Sequence, residues 1–92
     1  MDETFEKEIY LKIRTSPKKI EILLLLEKLE NLYQSELAKR INLKQTTTRT
    51  HLQELKKLHL VTEIKISKFL YYKLTELGHK LVNQLKKTSN TQ

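Results

Sequence analysis

Gln45, Thr46, Arg49, Thr50 and Gln53 carry the side chains best suited to chemistry in this chain. Their intervals of three and four residues place them on one stripe of a helix. An Arg guanidinium can pair in bidentate fashion with guanine, a Gln amide with adenine, and a Thr methyl can touch thymine. The stripe holds no carboxylate and no large apolar group, so it can approach a polyanion at low cost in its own solvation. Polar helix faces are also the norm on solvated surfaces. This one is unusual in its threonines, Thr46, Thr47, Thr48 and Thr50, because Thr is a mediocre helix former that propensity would not select.

Several elements must position this stripe. The spacing predicts a helix from about Gln45 to Leu58, with Thr48, Leu52, Leu55 and Leu58 inward. A short helix from Gln34 precedes it, with Leu37, Ala38 and Ile41 on one face and Ser35 as an alternative cap. Asn42 suits a left-handed helix end, and Leu43 lies in the connection. Lys44 stands at the next helix start, where the dipole favours an anion nearby. Upstream, Ser16-Pro17 opens a helix to about Leu29, apolar over most of its surface through Ile20, Ile22, Leu23, Leu24, Leu25 and Leu26. In residues 2–14, Phe5, Ile9 and Ile13 fit a helix, while Ile9, Leu11 and Ile13 also fit a strand. The early acids favour the helix, whose apolar side would meet the core or a second subunit.

Glu30 to Tyr33 is expected to be a plain connection. Leu60 to Leu74 reads as a hairpin turning at Ser67-Lys68, with one of Tyr71 and Tyr72 inward and the other outward. The turn lacks the Asn-Gly signal of a tight loop. Thr75 is expected to cap a last helix with the stripe Leu77, Leu81, Val82 and Leu85, followed by a flexible tail at 87–92. The expected fold is mainly α with a small β-hairpin, in the order α-α-α-α-β-β-α. It forms a single domain over 1–92 with its core in 16–86 and an N-terminal helix in 1–15 available for a dimer contact.

The chain has 92 residues and a formal net charge of +7, with 38% apolar and 32% charged residues. From Gln34 to Lys68, eight Lys and Arg face three Glu, a net +5; elsewhere ten face eight, a net +2. The basic excess thus concentrates around the polar stripe, which points to DNA, RNA or an anionic membrane surface. With no Cys there is no disulfide framework and no thiolate chemistry. A zinc site would have to gather the distant His51, His59 and His79, and His51 reads instead as a partly buried packing residue. No Gly-rich phosphate loop or nucleophile-base pattern suggests catalysis, so no metal or cofactor is expected. The longest apolar run is too short to cross a bilayer and the acidic N-terminus is unlike a targeting peptide, so a cytoplasmic, nucleoid-associated location is expected.

Four passages in order resemble one family. SPKKIEILLLL resembles a core helix, QSELAKRINLKQTTTRTHLQELKKLHLV a recognition unit, IKISKFLYYKLTELG a wing, and GHKLVNQL a closing helix. Together, over roughly 16–85, they are similar to winged helix-turn-helix regulators of the arsenic-repressor and multiple-antibiotic-resistance-repressor type. The resemblance implies that Gln45, Thr46, Arg49, Thr50 and Gln53 face the major groove of duplex DNA. It implies that Lys65 and Lys68 of the wing touch backbone or minor groove, and that terminal helices form a homodimer reading a two-fold site. Three departures matter. His59 replaces the usual Gly, Arg49-Thr50 stands where Ser-Arg is common, and the Cys motifs of metal-sensing members are missing.

The expected function is a sequence-specific regulator of transcription, with Lys39, Arg40, Lys44, Lys56, Lys65 and Lys68 on phosphates. Repression by occlusion is the simpler mode, because neither an acidic activation tail nor a ligand domain is legible and no effector is evident. The alternatives are a winged-helix module for protein contacts and a non-specific binder of DNA or RNA.

Overall fold

The computed structural model describes residues 3–29 and 31–90. The elements follow in the order α1 (Glu3–Ile13), α2 (Pro17–Leu29), β1 (Leu32–Tyr33), α3 (Gln34–Ile41), α4 (Gln45–Lys57), β2 (Val61–Ile66), β3 (Phe69–Leu74) and α5 (Glu76–Asn90). Residues 3–13 are therefore helix. α1 sends Ile9 and Ile13 into the core and leaves Phe5 and Leu11 exposed. α2 runs through the centre with Ile22, Leu23 and Leu26 fully buried, as its nearly all-apolar surface requires.

Two boundaries differ from expectation. The connection after α2 is not plain: Leu32 and Tyr33 form a strand paired with Tyr72 and Tyr71, so the hairpin is part of a three-stranded antiparallel sheet, β1-β3-β2. A two-residue strand has no periodicity to read and exists only because β3 offers a free edge. α5 continues through Asn90 where a polar tail from 87 was expected, since adding residues to a formed helix costs little. The expected tail residues Thr91 and Gln92 lie outside the described residues, as does Asp2 at the start of the N-terminal segment.

The helix ends follow local chemistry. α3 starts on Tyr33 rather than Gln34 or Ser35, and the Tyr33 N–H donates to the Glu36 carboxylate at 3.3 Å. It ends on Asn42 in the left-handed region, φ 57°. The Lys18 ammonium donates to the Ile41 carbonyl at 3.0 Å, a cation on a helix C-terminus. Thr75 caps α5: its hydroxyl accepts from the Gly78 N–H at 3.0 Å and donates to the His59 carbonyl at 2.6 Å.

Among the described residues, Asn31, Asn42, His59 and Ser67 have positive φ. Asn tolerates this region; His59, at φ 63°, is the costlier choice at a position where glycine would carry no Cβ penalty. Ser67 is left-handed at the first turn position, the sign a two-residue hairpin of type II′ needs, so the tight turn forms without glycine. Gly78 serves close approach instead, because a Cβ there would overlap the Leu60 carbonyl oxygen. Among the described residues no helix is long and apolar enough to cross a membrane.

Two opposite outcomes follow for thermal unfolding. His59→Gly should relieve a left-handed side chain and add about 1 kcal/mol, raising Tm by about 4–8 °C. Gly78→Ala should force α5 away from Leu60 and remove about 1–3 kcal/mol. Scanning calorimetry of both variants checks the pair, and an unchanged Tm in either would contradict the corresponding backbone reading.

Candidate nucleic-acid interface

α4 is held by one stripe and displays another. Thr48, Leu52 and Leu55 are fully buried, and Leu58 is half-buried. The buried Thr48 hydroxyl is satisfied by donating to the Lys44 carbonyl at 2.9 Å. Gln45, Thr46, Thr47, Arg49 and Thr50 are exposed together on the other side. Thr50 donates its hydroxyl proton to the Thr46 carbonyl at 3.1 Å, which leaves its lone pairs and methyl facing outward.

Gln53 belongs to the same stripe but is diverted. Its amide donates to the Glu63 carboxylate at 3.3 Å. Lys56 makes an ion pair with the same carboxylate at 2.8 Å, and the Tyr72 hydroxyl donates to it at 2.8 Å. Two expected DNA-contacting residues are thereby tied to the wing. The hydrogen bond from Lys56, followed by that from Tyr72, holds the Glu63 carboxyl below the usual carboxylate range. Burial, then the Glu63 hydrogen bond, pushes the Tyr72 phenol well above its ordinary value. The sequence signal was available: Val61, Glu63 and Lys65 share one strand face, and a carboxylate beside an inward Val needs partners.

A second anchor ties α4 to α2. The Lys19 ammonium lies 2.7 Å from the Glu54 carboxylate and 3.2 Å from His51 Nδ1. His51 is half-buried, as a packing residue would be. Burial, then the Lys19 charge, lowers its pKa below the ordinary value, so the ring is neutral at pH 7. The hydrogen bond from Lys19 likewise lowers the pKa of Glu54.

Glu54 on α4 and Glu63 on β2 are thus each paired with a cation. Among the described residues no ion pair involves Lys39, Arg40, Lys44, Arg49, Lys65 or Lys68. All six are exposed: Lys39 and Arg40 in the last turn of α3, Lys44 before α4, Lys65 on β2 and Lys68 in the turn. α4 begins on Lys44 with no side-chain cap and no acid in its first turn, leaving its first amides to solvent or an anion. Among the described residues no group of three His, Asp or Glu is placed to hold a metal ion.

A short helix, a tight turn, an exposed basic helix and a hairpin define a winged helix-turn-helix regulator. The family model described as "Bacterial regulatory protein, arsR family" matches residues 16–63. The chain belongs to that family and is a DNA-binding regulator. No curated protein sequence matches it. Among solved structures it is similar to TubR from Bacillus thuringiensis serovar israelensis pBtoxis, bound to 24 bp of tubC. The TM-score is 0.81 at 18% identity, covering 90% of this chain and 94% of that one. The S. aureus MepR–DNA complex gives a TM-score of 0.77 at 19% identity over 89% of this chain and 71% of that one. A MarR family protein from Bacillus stearothermophilus gives 0.76 at 20% identity over 90% of this chain. The chain spans only 62% of that protein's length. At these identities the likeness is one of fold.

The His51 anchor has a pH signature. Because its folded pKa is lowered, the unfolded chain takes up the proton first as pH falls. Stability should be full above about pH 6.5 and decline below it. Urea unfolding between pH 8 and pH 5 should show this slope in the wild type and a flatter one in His51→Gln. An identical slope in both would remove His51 as its source.

Proposed function

We propose that the protein is a sequence-specific regulator that binds duplex DNA and represses by occluding its site. The observation that carries this is the exposed, carboxylate-free face of α4 made by Gln45, Thr46, Arg49 and Thr50, fixed from behind by Thr48, Leu52 and Leu55. α4 enters the major groove with Arg49 as the main base reader, since a guanidinium can take both guanine acceptors. Gln45 reads adenine or accepts from cytosine, and Thr46 and Thr50 offer methyls and acceptors. Gln53 reads only after exchanging its Glu63 partner, so its contribution is smaller than that of Arg49. Lys39, Arg40, Lys44, Lys65 and Lys68 contact phosphates and set register; Lys56 contributes once it leaves Glu63.

A two-fold site requires two copies. Phe5 and Leu11 on α1, exposed by 38% and 46%, support a homodimer through that helix. The proposed place of action is the cytoplasm, on the nucleoid, as one domain.

A salt titration on duplex from upstream of its own gene, against random duplex, tests the function. A specific regulator should prefer its own site by at least roughly a thousandfold with a steep salt slope. Equal affinities would instead make it an architectural binder. Binding to neither duplex, with a salt-insensitive protein complex, would make it an interaction module.

Two variants divide the interface in the same assay. Arg49→Ala should cost about 1–3 kcal/mol on the cognate duplex and little on random DNA. Lys68→Ala should weaken both alike and reduce the salt slope by about one. Equal losses on both duplexes for Arg49→Ala would take base reading away from it.

A further inference from the structure

The wing ends in two large apolar side chains. Ile66 and Phe69 close the hairpin as its last paired residues, and they are exposed by 57% and 45%. As cross-strand partners, Ile66 and Phe69 make one contiguous apolar patch at the water-facing tip. The segment from Ile64 to Thr75 contains Lys65, Lys68 and Lys73 and no acid. A partner for this tip must therefore be both anionic and able to accept apolar groups.

The tip is also braced. The Tyr33 ring packs on Phe69 with centroids 5.6 Å apart and meets Tyr71 edge-on at 5.2 Å. The pairing of β1 with β3 holds Tyr33 opposite Tyr71, so Phe69 stands on a buttress of two rings. The Lys68 ammonium lies 5.9 Å from the Phe69 centroid, which couples a phosphate-seeking charge to the exposed ring.

We propose that Ile66 and Phe69 form an apolar wedge that enters the minor groove of the bound duplex and opens a base step, with Lys65 and Lys68 on the flanking phosphates. This rests on the DNA-binding reading above and adds a second source of specificity. Neither side chain can hydrogen-bond a base edge, so inside the groove they act by displacement and stacking. Paired strands lie about 5 Å apart, and their side chains add to that width, whereas the minor groove is about 6 Å wide. Insertion must therefore widen the groove. Widening is cheapest at flexible pyrimidine–purine steps, so the wing selects sequence through deformability. An acidic protein surface would satisfy the charges too. The narrow two-residue tip and the single ring it presents suit a groove better than a broad interface.

The test uses the full chain and a duplex of about 30 bp from upstream of its own gene, long enough for half-sites one turn apart. Donor and acceptor dyes at its ends report bending, and 2-aminopurine at TA or CA steps under the wing reports unstacking. The wild type should bend the duplex by about 20–90° and brighten 2-aminopurine. At saturating protein, Ile66→Ala and Phe69→Ala should lose both signals and the preference for TA over AA at that step, and they should bind the duplex more weakly. Phe69→Leu, which keeps an apolar side chain at the tip, should retain part of the bend. Lys68→Ala should bind more weakly yet still bend.

A straight duplex in the wild-type complex, or a bend unchanged in Ile66→Ala and Phe69→Ala, overturns the wedge and leaves DNA binding standing. Loss of self-association in these variants, with bending intact, would assign the tip to a protein contact and also overturn it. Failure of the wild type to bind any duplex would overturn the DNA-binding reading itself.

Discussion

The structure depends on how Tyr72 is held. Its ring is fully buried on the central strand of the sheet, and its hydroxyl reaches the Glu63 carboxylate on the neighbouring strand. A buried phenol needs a partner for its proton, and a part-buried carboxylate needs donors. Each solves the other's problem, and Glu63 uses its remaining acceptor capacity on Gln53 and Lys56 of α4. One cluster thus links the sheet's centre, the wing and the back half of the recognition helix. The angle between helix and wing, on which any two-groove contact depends, is set there.

Charge is arranged around that requirement. A basic surface meant for a polyanion still needs internal fastening, and Glu54 and Glu63 supply it. Glu54 goes to Lys19 of α2 and Glu63 to Lys56, so these two carboxylates are neutralised locally. The field projected outward then comes from Arg49 and the lysines that have no acidic partner. Exposed pairs of this kind add little stability. Their consequence is orientation: they fix α4 from two sides while its first turns stay open.

The backbone shows a similar economy. With one glycine in the chain, the left-handed positions among the described residues fall to Asn31, Asn42, His59 and Ser67. The glycine itself stands where α5 passes the Leu60 carbonyl, a site where even a methyl group cannot fit. Conformational freedom was dispensable at the turns, at some cost; space at that crossing was not.

Much of this was legible in the sequence because it is local. The stripes Leu37-Ala38-Ile41 and Thr48-Leu52-Leu55 specify their helices and buried faces by period alone, and Ser16-Pro17, Asn42 and Thr75 mark ends through short-range chemistry. The exposed set Gln45, Thr46, Arg49 and Thr50 follows from the same period. The tertiary structure decided what depends on partners distant in sequence. Leu32 and Tyr33 are a strand only because β3 lies beside them. Gln53 of the groove-facing stripe and Lys56, an expected phosphate contact, turn toward Glu63, ten and seven residues away on a strand. Phe69 stands braced because Tyr33 arrives from the other edge of the sheet. Periodicity reports which side of an element is buried; which groups meet across elements is fixed only when the chain closes on itself.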